Sequence, residues 1–134
     1  MRTLAAVVML TVLAYAIPAR ADTIVDTLAA AKAADARQDF VTELMLLRPL
    51  AKQGNATAQT SLGLMYGNGR GVPKDITRAY YWSLLARAAG REPSKIRVAF
   101  LTSQLTRGQV VAIEQEANKF LKQHPPLTND ESAY

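Results

Sequence analysis

The stretch LGLMYGNGRGVPKD, residues 62–75, decides how this chain folds. An apolar helical run gives way to three glycines at alternate positions (Gly67, Gly69, Gly71), then Val72-Pro73, then Asp75. Glycine takes positive φ at little cost, so this spacing predicts a shaped chain reversal rather than a loose linker. Proline belongs just outside a helix or in its first turn. Asp75 suits an N-cap, because its carboxylate accepts from the free amides of the turn that follows. The stretch reads as helix, loop, helix. It is a unit built for stacking and holds no catalytic group.

Working outward, amphipathic helices account for the rest. Ile24, Leu28, Ala31 and Ala34 or Ala36 recur near helical spacing over 23–36. Arg37-Gln38-Asp39 is a short turn, with Asp39 a candidate cap. Phe40, Leu44, Leu47, Leu50 and Ala51 make the stripe of a second helix, bent or loosened by Pro49 and stopped at Gly54. A third helix runs from about 55 to 66, with Ala58, Leu62 and Met65 on one face. A fourth runs from 75 to about 89, with Ile76, Ala79, Tyr80, Trp82 and Ala86 available for packing and Gly90 as its stop. Tyr80 and Tyr81 are neighbours and cannot both point inward. Arg91-Glu92-Pro93 reads as a break before a fifth helix over 94–105, which carries Ile96, Val98, Phe100 and Leu101. Thr106 and Gln109 fit a capping box that opens a sixth helix to about His124. Val110, Ile113, Ala117, Phe120 and Leu121 are periodic along it. Pro125-Pro126 stops it, and 125–134 reads as a disordered tail. No convincing strand pattern emerges.

The chain has 134 residues, one domain's worth, and opens on what reads as a targeting segment. Arg2 precedes an apolar run from Leu4 to Ile17, short for a helix crossing a bilayer. Pro18 ends the run, and Ala19-Arg20-Ala21 has the small-x-small form of a cleavage site. Residues 1–21 therefore read as a secretory signal cut after Ala21, with an uncleaved anchor as the alternative. The expected domain is 22–124, in a periplasmic or secreted location. There is no cysteine, so an exported form must be held together by its apolar core rather than by disulfides. Charge is uneven: residues 48–107 hold ten basic side chains against Asp75 and Glu92. That middle suits an acidic partner, anionic lipid or polyanionic glycan; the plainer reading is a solvated surface whose long side chains cover small core residues. The basic residues are not interleaved with aromatics, which argues against nucleic acid.

The sequence also repeats. A shift of 36 residues sets Asp39 on Asp75, Phe40 on Ile76, Leu50 on Ala86 and Gly54 on Gly90. A period in the thirties built from a helix pair marks an α-solenoid. Residues 55–90 resemble the Sel-one-like repeats, relatives of the tetratricopeptide repeats. The match is carried by Ala56, Ala58, Leu62, Gly63, Met65, Tyr66, Gly69, Gly71, Val72, Pro73, Asp75, Ala79, Trp82, Ala86 and Gly90. Residues 46–55 look like the end of a degenerate first repeat. Residues 105–120 are similar to the terminal helix that follows such repeats in secreted bacterial proteins. The resemblance implies an all-α fold: a short superhelix of about six helices, one full repeat flanked by a degenerate first repeat and C-terminal capping helices. Three departures stand out. Glu43 falls where the aligned Ala79 suggests a small packed residue, Ser83 and Arg87 occupy places usually small or aromatic, and the first repeat lacks the glycine loop.

Little supports catalysis, and no enzyme activity is expected. The single histidine, His124, falls at a helix end, and with no cysteine there is no ligand set for zinc or haem. The Gly67-x-Gly-x-Gly pattern follows a helix rather than a strand and lacks the lysine-serine ending of a phosphate loop. Glu114 and Glu116 lie on different helix faces. The resemblance implies an adaptor or regulator that binds a peptide or protein segment in the cell envelope, without a cofactor or metal. Gln59, Tyr66, Arg78, Tyr81 and Arg87 are the expected partner-facing residues, with Arg78 pairing an acidic group. A monomer or weak homo-oligomer is expected, with at most weak membrane-surface contact. The alternative is a basic surface that holds polyanionic glycan or lipid headgroups through Arg78, Arg87 and Arg91.

Overall fold

A computed structural model describes residues 20–126 as six α-helices. They are α1 (Arg20–Ala36), α2 (Phe40–Lys52), α3 (Ala56–Asn68), α4 (Ile76–Ala88), α5 (Glu92–Thr102) and α6 (Arg107–Gln123). There is no strand among the described residues. Nearly all of the expected leader and tail lies outside them.

Local chemistry sets the helix ends. The Asp39 carboxylate accepts from Thr42 N at 3.2 Å, and 36 residues on the Asp75 carboxylate accepts from Arg78 N at 3.0 Å. Each satisfies one of the orphan amides of a first turn. The matching stops are Gly54 at φ +96° and Gly90 at φ +82°. Asn55 caps α3 through Ala58 N at 2.9 Å. Thr106 and Gln109 close the capping box of α6. Pro49 lies one turn from the end of α2, and the helix continues through it to Lys52. Helix α5 starts earlier than its sequence suggests, because Pro93 falls in its first turn, where a proline sacrifices no hydrogen bond.

Helices α1 and α2 pair, α3 and α4 pair, α2 packs on α3, and both α5 and α6 pack on α4. The seam between α3 and α4 is close: a Cβ placed on Gly63 would lie 2.9 Å from Ser83 Oγ and 3.5 Å from Ala79 O. Ser83 thus fills a space where a larger side chain would force the helices apart. Leu62, Met65, Tyr80 and Leu85 are sealed in the core, with Leu47 and Leu101 against them. Among the residues of α5 whose burial is described, only Val98 and Leu101 are buried; Ile96 and Phe100 are 79% and 62% exposed. A step of two residues turns about 200° around a helix, which carries these two away from the core.

The loop between α3 and α4 reaches back to the first pair. Gly69 (φ +67°) ends α3, and Gly71 (φ +69°) lies against Phe40, the first residue of α2. The Arg70 guanidinium sits 4.4 Å over the Phe40 ring, pairs with Asp35 of α1, and lies 4.0 Å from Glu43 Oε2. Gly67 has a different role. It belongs to α3, and any side chain on it would strike Arg97 of α5.

Candidate functional site

Helices α2, α3 and α4 together shape a concavity of about 370 Å³. Arg48 and Lys52 stand one turn apart on α2 and reach it from one side. Tyr66 of α3 forms its floor, and Arg78, Tyr81 and Trp82 of α4 close it. Tyr66 is only 5% exposed, yet its hydroxyl accepts from Arg48 Nη2 at 3.3 Å and from Arg78 Nη1 at 3.4 Å. Both distances are long for N–H···O bonds, so neither guanidinium is tightly committed. Arg78 also stacks over the Tyr66 ring at 5.4 Å, and its Nε lies 3.5 Å from Asp75 Oδ2. Tyr81 and Trp82 meet edge to face with centroids 5.1 Å apart, which fixes the ring wall.

Tyr81 divides this cradle from a second hollow of about 400 Å³, shared with Ala112, Ile113 and Glu116 of α6. Burial and the Glu116 carboxylate hold the Tyr81 phenol above its usual range. Its neighbour Tyr80 turns the other way. It is 1% exposed and donates to Glu114 Oε1 at 2.9 Å, tying α4 to α6. Burial, then that bond, pushes the Tyr80 phenol up to about 12.

Residues 56–90 match the family model for the Sel1 repeat. This segment is a Sel1 repeat. No curated protein and no solved structure matches the chain. Sel1 repeats are non-catalytic and generally mediate protein–protein interaction.

Within the Sel1 repeat, the motif residues do structural work. Leu62, Gly63, Ala79 and Trp82 form the α3–α4 seam, while Gly69, Gly71, half-buried Val72, Pro73 and the Asp75 cap shape the loop. Gly90 ends the second helix. Of the five residues expected to face a partner, the fold brings three together: Tyr66, Arg78 and Tyr81. Gln59 is a correction. It is 2% exposed, and its Nε2 donates to Ala51 O at 3.2 Å, satisfying a carbonyl near the end of α2. Its place was readable, because 59, 62, 63 and 66 follow the spacing of a buried helical stripe. Arg87 is also elsewhere, in a separate hollow with Leu84 and Glu114. Nine residues from Arg78 is two and a half turns, so it projects from the opposite side of α4. Arg48 and Lys52 are cradle residues that the sequence signalled only as an i, i+4 basic pair on α2.

Proposed function

We propose that this chain is a protein-interaction module of the bacterial cell envelope that holds an acidic segment of a partner against the α2–α4 cradle. The charge pattern carries the reading. Three cationic side chains, Arg48, Lys52 and Arg78, surround aromatic rings, and of these three only Arg78 has a carboxylate of the described residues in ion-pair range, Asp75. The loose bonds to Tyr66 leave both guanidiniums free to exchange onto a carboxylate, which they bind more strongly than a neutral hydroxyl. One exposed pair of this kind contributes about 0.2–1 kcal/mol, so a segment with several acidic residues fits better than one side chain. The glycan or lipid alternative needs Arg78, Arg87 and Arg91 on one patch. Arg78 and Arg87 leave α4 on opposite sides, and Arg91 donates to Thr57, which does not favour it.

Trp82 is the only tryptophan and lines the cradle, so its emission reports occupancy. Titration with a glutamate-rich peptide is expected to change that emission saturably, with affinity falling as salt rises. Arg48→Glu with Arg78→Glu abolishes the response, and Tyr81→Ala weakens it. An unchanged emission, or a response indifferent to these variants, refutes the reading. Export rests on residues 1–21; N-terminal sequencing of the protein from a periplasmic fraction is expected to begin at Asp22.

A further inference from the structure

Glu43 is explained neither by the cradle nor by core packing. It replaces the small residue that the repeat register calls for, is 7% exposed, and its Oε2 is closed to solvent without a hydrogen-bond partner. The nearest cation, Arg70, is 4.0 Å away and already engaged by Asp35. Buried carboxylates ordinarily have a partner, so one without is an acceptor awaiting a donor.

Glu43 lines a hollow of about 350 Å³ between α1, α2 and α3. Leu28 and Leu47 give it an apolar wall, and Thr57 and Ser61 on α3 present hydroxyls one turn apart. An apolar slot that ends on a carboxylate and hydroxyl acceptors complements a short aliphatic stem tipped with a donor-only cation. We propose that this hollow binds an aliphatic ammonium group, with Glu43 as its counter-ion. The rim refines the choice. Lys32 of α1 is exposed at the edge, and Arg91 donates to the Thr57 hydroxyl from the far side. A second positive charge on the ligand would meet those cations, and the other carboxylate lining the hollow, Asp35, is already paired with Arg70, so the site takes a monoammonium in preference to a diammonium. The chemistry is that of a lysine side chain on a polypeptide or of a free alkylamine.

Burial, then the neighbouring Asp35 carboxylate, raises the Glu43 acid above its usual range, and Arg70 pulls it partly back. An ammonium needs the ionised form, so binding strengthens as pH rises through that raised value and fades below it. Asp35 and Lys32 from α1, Arg70 from the loop and Arg91 beyond α4 are the charged groups around it.

The test is an amide NMR titration of the folded chain with n-butylammonium. Saturable shifts over residues 28–61 are expected, with about tenfold weaker binding for Glu43→Gln, where a charge-assisted bond becomes a neutral one. The isosteric n-butanol gives no saturable shifts, and 1,4-butanediammonium binds more weakly than the monoamine. Leu28→Phe fills the slot without altering the carboxylate and also blocks binding, which covers the case of a misfolded Glu43 variant. A capped lysine tripeptide that binds at least as tightly as butylammonium identifies a protein side chain as the natural ligand; weaker binding identifies a free amine. Equal titration of wild type and Glu43→Gln, or no saturable shift with butylammonium, overturns the proposal. That failure would leave the acidic-segment reading of the cradle intact, since the two sites share no residue.

Discussion

Gly71→Ala asks whether the α3–α4 loop is fastened to the first helix pair or merely passes over it. At φ +69°, alanine pays about 1–2 kcal/mol for a left-handed conformation. The added Cβ would also sit 2.8 Å from Phe40 Cβ and 2.9 Å from Phe40 O. The carbonyl belongs to the first turn of α2 and cannot rotate aside, so the loop must lift or α2 must shift. Overpacking of this kind costs about 1–3 kcal/mol, giving a total of about 3 kcal/mol. Gly90→Ala is the control. Its φ of +82° imposes a similar conformational cost, but a Cβ there meets nothing within 4 Å, so about 1–2 kcal/mol is expected. For a domain of this size 1 kcal/mol moves Tm by about 4 °C. Thermal and urea unfolding followed by circular dichroism should therefore separate the two variants by about 4–8 °C. Equal losses would show that the Phe40 contact contributes nothing and would refute the latch.

Gln38 adopts φ +60° in the α1–α2 turn without being a glycine, so Gln38→Gly is expected to raise stability by about 0.5–1 kcal/mol in urea unfolding. Tyr80→Phe removes the bond to Glu114 and should cost about 1 kcal/mol. The folded state holds the Tyr80 proton more tightly than the unfolded chain. Its contribution is thus full below pH 10 and lost as pH rises towards about 12, and that part of the alkaline slope should vanish in Tyr80→Phe. Leu62→Ala empties a fully buried site between α2, α3 and α4 and should cost about 2–5 kcal/mol by denaturant titration. Thr106→Ala breaks the α6 capping box and should cost about 1 kcal/mol, with faster amide exchange confined to the first turn of α6.

The helices were legible because their signals are local. Asp39 and Asp75 cap through a residue three positions on, Gly54 and Gly90 stop through their own φ, and Thr106 and Gln109 act within one turn. The site was only half legible because it depends on how the pairs nest. Tyr66, Arg78 and Tyr81 converge, but Gln59 turns under α2 to serve the Ala51 carbonyl, and Arg87 leaves α4 on its other side. Spacing alone groups Gly67 with the two loop glycines, whereas it lies inside α3 and a Cβ there would meet the guanidinium of Arg97, thirty residues later and on another helix. Contacts of that range leave no mark in local periodicity.

The grip of Arg70 and Gly71 on the first pair limits how this molecule can grow. Moved on by one 36-residue period, the receiving positions Asp35, Phe40 and Glu43 become Gly71, Ile76 and Ala79. A further copy of the loop docking on α4 would find no aromatic ring to lie on and no acid to pair with. The odd first unit is therefore made to measure for the second, and tandem duplication of residues 55–90 would produce an orphaned arginine rather than a longer array.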